Sequence, residues 1–304
     1  MKAKLNDLRA DAVGRDVRYE RLRMDELKQI IVDCPIVYVA VGPMEAHGPQ
    51  SPVGLDALKA HGICLLAAQR FGGVVYPPLF VGQQGVALSY AGNCYIRPDT
   101  AKLLYRDLLT CLERTGFQVI VMVSGHYPEA GLIKAAANEF MINGMTPVLA
   151  LVEPEVAGEI MGGGDHGGKW ETSEMLALYP DLVQMSALNP DRAVTPPASL
   201  GTDPRDATLK AGSQVVALAV KRIGTLAAHL LAQRRKGTVH GALFAQFRRR
   251  EVEIEQQVGA RGQWAAYQRH PLLRQYRDAL WAGEFERADR LQNKLATSLF
   301  KAAR

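Results

Sequence analysis

Three short apolar runs constrain this chain more than any other feature: Ile36–Val41 (IVYVAV), Val119–Val123 (VIVMV) and Pro147–Val152 (PVLALV). They are rich in β-branched residues and continuously apolar, as strands buried on both faces are. Helical patterns lie between them, at residues 56–70, 100–115 (with Thr100 as the expected N-cap), 129–143 and 171–179. A longer one spans roughly 205–235, its apolar face made of Val215, Val216, Ala219, Val220, Ile223 and Leu226. Strands alternating with helices predict a mainly parallel sheet covered on both sides. Such sheets bind ligands beyond the carboxyl ends of their strands, here the loops after Val41, Val123 and Val152.

The polar chemistry of the sequence lies in those loops. The first, GPMEAHGPQSPVGLD (42–56), offers Glu45 and His47 on one face of an extended segment, then Asp56 at the next helix start. Pro43, Pro49 and Pro52 stiffen it. Two carboxylates and an imidazole suit a divalent ion such as Zn, Mn or Fe. The second loop, SGHYPEAG (124–131), brings His126 to the same sheet edge. The third, GGGDHGGKWETSE (162–174), offers Asp165, His166 and Glu171 as an acid/base set. Its glycines do not form the strand–GxxxxGK[ST]–helix pattern of a phosphate cradle. Neither a G-x-S-x-G elbow nor an H-E-x-x-H pair occurs. Gln83, Gln84, Tyr90, Tyr127 and Trp170 are candidate pocket walls.

Composition narrows the class. With 48% hydrophobic and 22% charged residues in 304, the chain has a globular balance and enough length for a large core. Its net charge of +5 is concentrated from Lys236 onward, where 13 Lys and Arg face 7 Asp and Glu. A basic tail on a near-neutral body argues against nucleic acid as the partner. Within the tail, Leu273, Tyr276, Leu280, Leu291, Leu295 and Leu299 recur at helical spacing, which predicts amphipathic helices packing on the body or on another subunit. The expected division is therefore 1–236 and a helical basic extension, 237–304. Cys34, Cys64, Cys94 and Cys111 form no C-x-x-C pair and are expected to be reduced and packed. A charged N-terminus and no apolar run near ~18 residues predict a cytoplasmic protein without membrane contact.

Together the loops resemble the creatininase family, whose motifs are E-x-H-G-P-x-x-P-x-G-x-D, N-G-H and D-x-H-A-G-x-x-E-T-S. Here they stand as EAHGPQSPVGLD, SGH and DHGGKWETS, followed by a GDPxxAT-like GTDPRDATLKAG at 201–212. The resemblance covers about residues 35–235 and implies a three-layer α/β/α sandwich in a homo-oligomer, often a hexamer. It implies one or two divalent metals per chain and hydrolysis of a C–N bond in a small amide. Glu45, Asp56 and His126 would hold one metal, and His47 with a bridging Asp56 the second. His166 would transfer the proton near the leaving nitrogen, and Glu171 would orient water or lie beside the metal. Tyr127, Asp165 and Trp170 would approach the substrate. This chain departs from the family at three points. Ser124 replaces the N-G-H asparagine, and Gly162–Gly164 replace a tryptophan before the third loop. Pro128 replaces the glutamate two residues after the histidine, which leaves either Glu129 or Glu171 to complete the second metal. Competing readings are a lactone or peptide-bond hydrolase, and a metal- or ligand-binding protein without catalysis.

Overall fold

The computed structural model describes residues 8–86, 89–260, 267 and 270–301. After helix α1 (Met24–Asp33), the chain alternates strand and helix: β1 (Ile36–Val41), α2 (Leu55–Phe71), β2 (Val74–Leu79), α3 (Pro98–Thr115), β3 (Val119–Ser124), α4 (Ala130–Asn143) and β4 (Val148–Val152). Helices α5 (Glu153–Met161), α6 (Lys169–Leu178), α7 (Leu209–Arg235) and α8 (Gly241–Ala260) follow, then helices Pro271–Trp281 and Phe285–Lys301. The four strands form one parallel sheet in the order β2-β1-β3-β4. Helices α2 and α7 pack on it, with α6 and α5 on α7; a second group joins α3, α4 and α8, with α4 on β4.

The expected runs are β1, β3 and β4, and every residue of the three is buried. Strand β2 (VVYPPL) went unrecognised because Pro77 and Pro78 break the apolar pattern. It is an edge strand, the place where proline costs no ladder hydrogen bond. Helix α3 begins at Pro98, not at a Thr100 cap, with Arg97 as its N-cap; proline's fixed φ and missing N–H suit the first helical position. Thr208, in the GDPxxAT-like stretch, caps α7 by accepting from the Ala211 N–H at 3.1 Å.

Among the described residues, α7 is the one helix long and apolar enough to cross a membrane. Its apolar face, Val215 through Leu226 as predicted, is instead buried inside the protein. The tail helices add no separate core: Phe244, Ile254, Val258, Leu273, Tyr276 and Leu295 belong to the cluster that contains the strands. Buried Arg248 of α8 donates to the Ala150 carbonyl of edge strand β4 at 2.6 Å. Lys134 of α4, 1% exposed, pairs with Glu155 and lies 2.8 Å from Glu255, so a buried ionic knot ties tail to body. All four cysteines are free, but Cys94 and Cys111 are exposed rather than packed.

Candidate metal centre

The ends of β1 and β3 and the first turns of α2 and α6 converge on one point. Glu45, His47, Asp56, His126 and Glu171 are each no more than 3% exposed. Glu45 is fixed by its backbone N–H to Val53 O, 2.8 Å, while neighbouring Met44 accepts from Cys94 N at 2.9 Å. Asp56 enters from the first turn of α2 and His126 from the residue pair beyond β3. A Cβ at Gly125 would collide with the Asp56 carbonyl, so glycine is what lets the end of β3 close on the start of α2.

His126 Nδ1 lies 3.1 Å from Glu45 Oε2 and 3.2 Å from Asp56 Oδ2. On the other side of the same carboxylate, His47 Nε2 lies 3.1 Å from Asp56 Oδ1 and 3.5 Å from Glu171 Oε2. Two triads result, Glu45/Asp56/His126 and His47/Asp56/Glu171, each with ligand atoms within 4.8 Å of one another and with Asp56 common to both. Apart from these contacts with the two histidines, neither Asp56 oxygen has a hydrogen-bond partner, and His47 Nε2 has none beyond the facing carboxylates, although all are buried. Buried acceptors without donors are costly, and a divalent cation would satisfy them. His47 Nδ1 lies 2.9 Å from the Glu45 carbonyl, which can only accept; Nδ1 therefore carries the proton and Nε2 is the free ligand atom. The residues fit divalent-cation binding, with Asp56 common to both candidate ligand sets.

The electrostatics agree. Burial pushes His47 down, but Asp56 and Glu171 outweigh it and raise it to about 9. His126 is likewise depressed by burial and lifted by Asp56 and Glu45 to about 10. Burial raises Glu45, and His126 overrides this to bring it to about 2. The site is a concentration of negative charge that draws in any cation available, proton or metal.

The other predicted residues take different places. His166 borders the cluster, its ring centroid 4.2 Å from that of His47 and its Nε2 2.9 Å from the Ala46 carbonyl. Burial and His47 lower its pKa, so it is neutral near pH 7, with Nδ1 as the basic nitrogen. It lines a cavity of about 390 Å³ with Tyr90, Val86, Pro196 and Leu200. Glu129 does not join either triad: its carboxylate accepts from Tyr105 Oη at 2.7 Å and Gln83 N at 2.8 Å. Asp165, expected near substrate, instead holds the start of α6, accepting from Trp170 N (2.9 Å), Glu171 N (3.2 Å) and Thr202 Oγ1. Tyr127 and Trp170 pack against Ala157, Met161 and Val215. Gln83 binds the Pro128 carbonyl at 2.6 Å.

Sequence reasoning missed Lys59 and Gly85. Lys59 is fully buried one turn after Asp56, 2.7 Å from Glu171 Oε1 and 3.1 Å from Tyr127 Oη. A lysine inside the apolar stretch DALKAHGICLLAAQR was the available signal. Gly85 lies over the centre, where a Cβ would come within 2.5 Å of both Glu45 Oε2 and His126 Cε1, while adjacent Val86 N donates to Glu45 Oε1 at 2.9 Å.

A family model described as creatinine amidohydrolase matches residues 20–227, over two thirds of the chain. The chain belongs to the creatininase family. Its curated relatives include a creatinine amidohydrolase of Pseudomonas putida, 31% identical over 193 residues, covering 55% of this chain and 71% of that protein. A mycofactocin precursor peptide peptidase of Mycobacterium ulcerans is 25% identical, over 52% of this chain and 64% of that one. Among solved structures, a creatininase aligns at TM-score 0.61 with 22% identity, covering 73% of this chain and 98% of its own. A mutant creatininase of the Zn–Zn type aligns at 0.58 with 25% identity, covering 72% and 98%. The creatininase fold thus accounts for the body, and the C-terminal helices lie beyond the region matched by the family.

Proposed function

We propose that this chain is a metal-dependent amidohydrolase that hydrolyses a C–N bond in a small, cyclic or open-chain amide or formamide. The observation that carries the reading is the pair of buried triads sharing Asp56 at the carboxyl ends of the strands. Glu45, Asp56 and His126 would hold one ion and His47, Asp56 and Glu171 the other. Zinc, manganese and iron all suit carboxylate–imidazole ligands. Divalent ions held there supply Lewis acidity and make water a usable nucleophile at neutral pH. The chain's own residues supply the rest. Neutral His166, at the wall of the adjacent cavity, takes a proton at Nδ1 and returns it to the departing nitrogen, a poor leaving group until protonated. Val86, Pro196 and Leu200 form an apolar wall against which a compact substrate would pack.

Within the same reading the protein is cytoplasmic, assembles with copies of itself and has neither nucleic acid nor membrane as partner. A peptide bond is the second substrate candidate, favoured by the peptidase among the relatives.

Elemental analysis of the wild type and Asp56→Ala tests the proposal. Two metals per chain, lost together in the variant, with turnover of cyclic amides or formamides by the wild type, is the expected result. A wild type that retains no divalent metal after purification with added zinc or manganese would sink it.

A further inference from the structure

The glutamate that the family places two residues after the second-loop histidine is absent here, its position being Pro128. The next carboxylate along, Glu129, is held by Tyr105 and Gln83 outside both triads. The carboxylate that meets His47 and Asp56 comes from α6, as Glu171. A glutamate has three rotatable bonds, and its reach across to a site on other elements is useful only if its rotamer is fixed.

Glu171 is fixed from both ends. Its Oε1 accepts from Lys59 Nζ at 2.7 Å, and its Oε2, the oxygen nearer His47, accepts from Gly167 N at 2.8 Å. Lys59 stands three residues after Asp56 on α2, so the same helix that supplies the shared ligand supplies the tether. It is fully buried, with Tyr127 Oη at 3.1 Å, Glu153 Oε2 at 3.8 Å and Glu174 Oε2 at 3.9 Å as its further neighbours. The shortest contact is to Glu171, the only carboxylate within hydrogen-bond distance of it among the described residues. A buried lysine is costly to keep without strong pairing, and this one spends its charge on the back of a candidate ligand rather than on the surface.

The geometry points to Lys59 as a positioning residue that holds Glu171 in place as the carboxylate ligand of the His47–Asp56 metal. This rests on the two-metal reading above. It assigns the second ion's third ligand to helix α6 and gives α2 control of both ions.

The test measures metal per chain and zinc affinity in the full-length protein, wild type against Lys59→Met. The variant is expected to keep the ion held by Glu45, Asp56 and His126. It should lose the second, or bind it about 10- to 100-fold more weakly, the usual effect of removing a ligand's supporting partner. Should burial of unpaired glutamates prevent folding, Lys59→Met combined with Glu153→Gln and Glu174→Gln removes the excess negative charge and leaves Glu171 untouched. Glu171→Gln is expected to lose the same single ion, and Glu129→Gln to keep both. Two ions at wild-type affinity in either folded Lys59 variant, or loss of the second ion from Glu129→Gln and not from Glu171→Gln, overturns the inference while leaving the two-metal reading intact. A wild type without metal overturns the reading itself.

Discussion

Single residues decide the chemistry by where their last heavy atoms go. His166 touches the cluster with its Nε2 on the Ala46 carbonyl, and the proposed function gives it a proton-transfer part. His166→Ala is therefore expected to lower turnover by about 10²–10⁴-fold while metal content stays at the wild-type level, read by parallel kinetics and elemental analysis. Gly85 makes the opposite forecast. Its alanine variant places a methyl against the Glu45 carboxylate and His126, so metal should be lost from a chain whose far-ultraviolet circular dichroism is unchanged. The candidate ligands were legible because loops after strands concentrate chemistry, and a Glu-x-His pair among prolines is hard to explain otherwise. Asp165 has a structural part that its sequence context hides. An aspartate next to a histidine in a glycine-rich loop looks reactive, yet its oxygens are taken by the first N–H groups of α6, as an N-terminal helix cap requires. That Glu171 and not Glu129 meets His47 needed three dimensions, since each glutamate follows a loop histidine within a few residues.

At the scale of elements, helix α2 carries more than its ligand. Besides Asp56 and Lys59 it buries His61, which burial first, then Arg18 and Arg21, depress to about 4. The folded form prefers neutral imidazole, whereas the unfolded chain takes up a proton near pH 6.5. The stability contributed is present above pH 6.5 and drains away as pH falls from there through about 4. Urea midpoints measured across that window should fall less steeply in His61→Gln than in wild type; identical slopes would show that His61 does not titrate on unfolding. Three of four strands were readable from their apolar runs. The fourth was not, because Pro77 and Pro78 are tolerated only through its position at the sheet edge, a property of topology rather than of local sequence.

At the scale of the whole molecule, the apolar periodicity beyond Lys236 announced helices but not what they cover. Leu273, Tyr276, Leu280 and Leu295 enter the same core as the sheet, and each large apolar side chain buried is worth about 1.5–3 kcal/mol. Several of them together rival the typical net stability of a domain, about 5–15 kcal/mol. Deleting residues 237–304 is therefore expected to yield insoluble or aggregated protein rather than a trimmed enzyme, as sedimentation of the expressed fragment would reveal.

The bond from Arg248 to Ala150 also has a meaning in time. Its two ends lie 98 residues apart, so during synthesis β4 leaves the ribosome long before the side chain that satisfies its Ala150 carbonyl. Until α8 arrives, the Ala150 carbonyl on the outer side of this apolar edge strand lacks that donor, and an open strand edge is the kind of template on which neighbouring chains pair. Translation that pauses between β4 and α8 prolongs that interval, so the yield of this protein should respond to codon choice and chaperone supply in that stretch more than anywhere upstream.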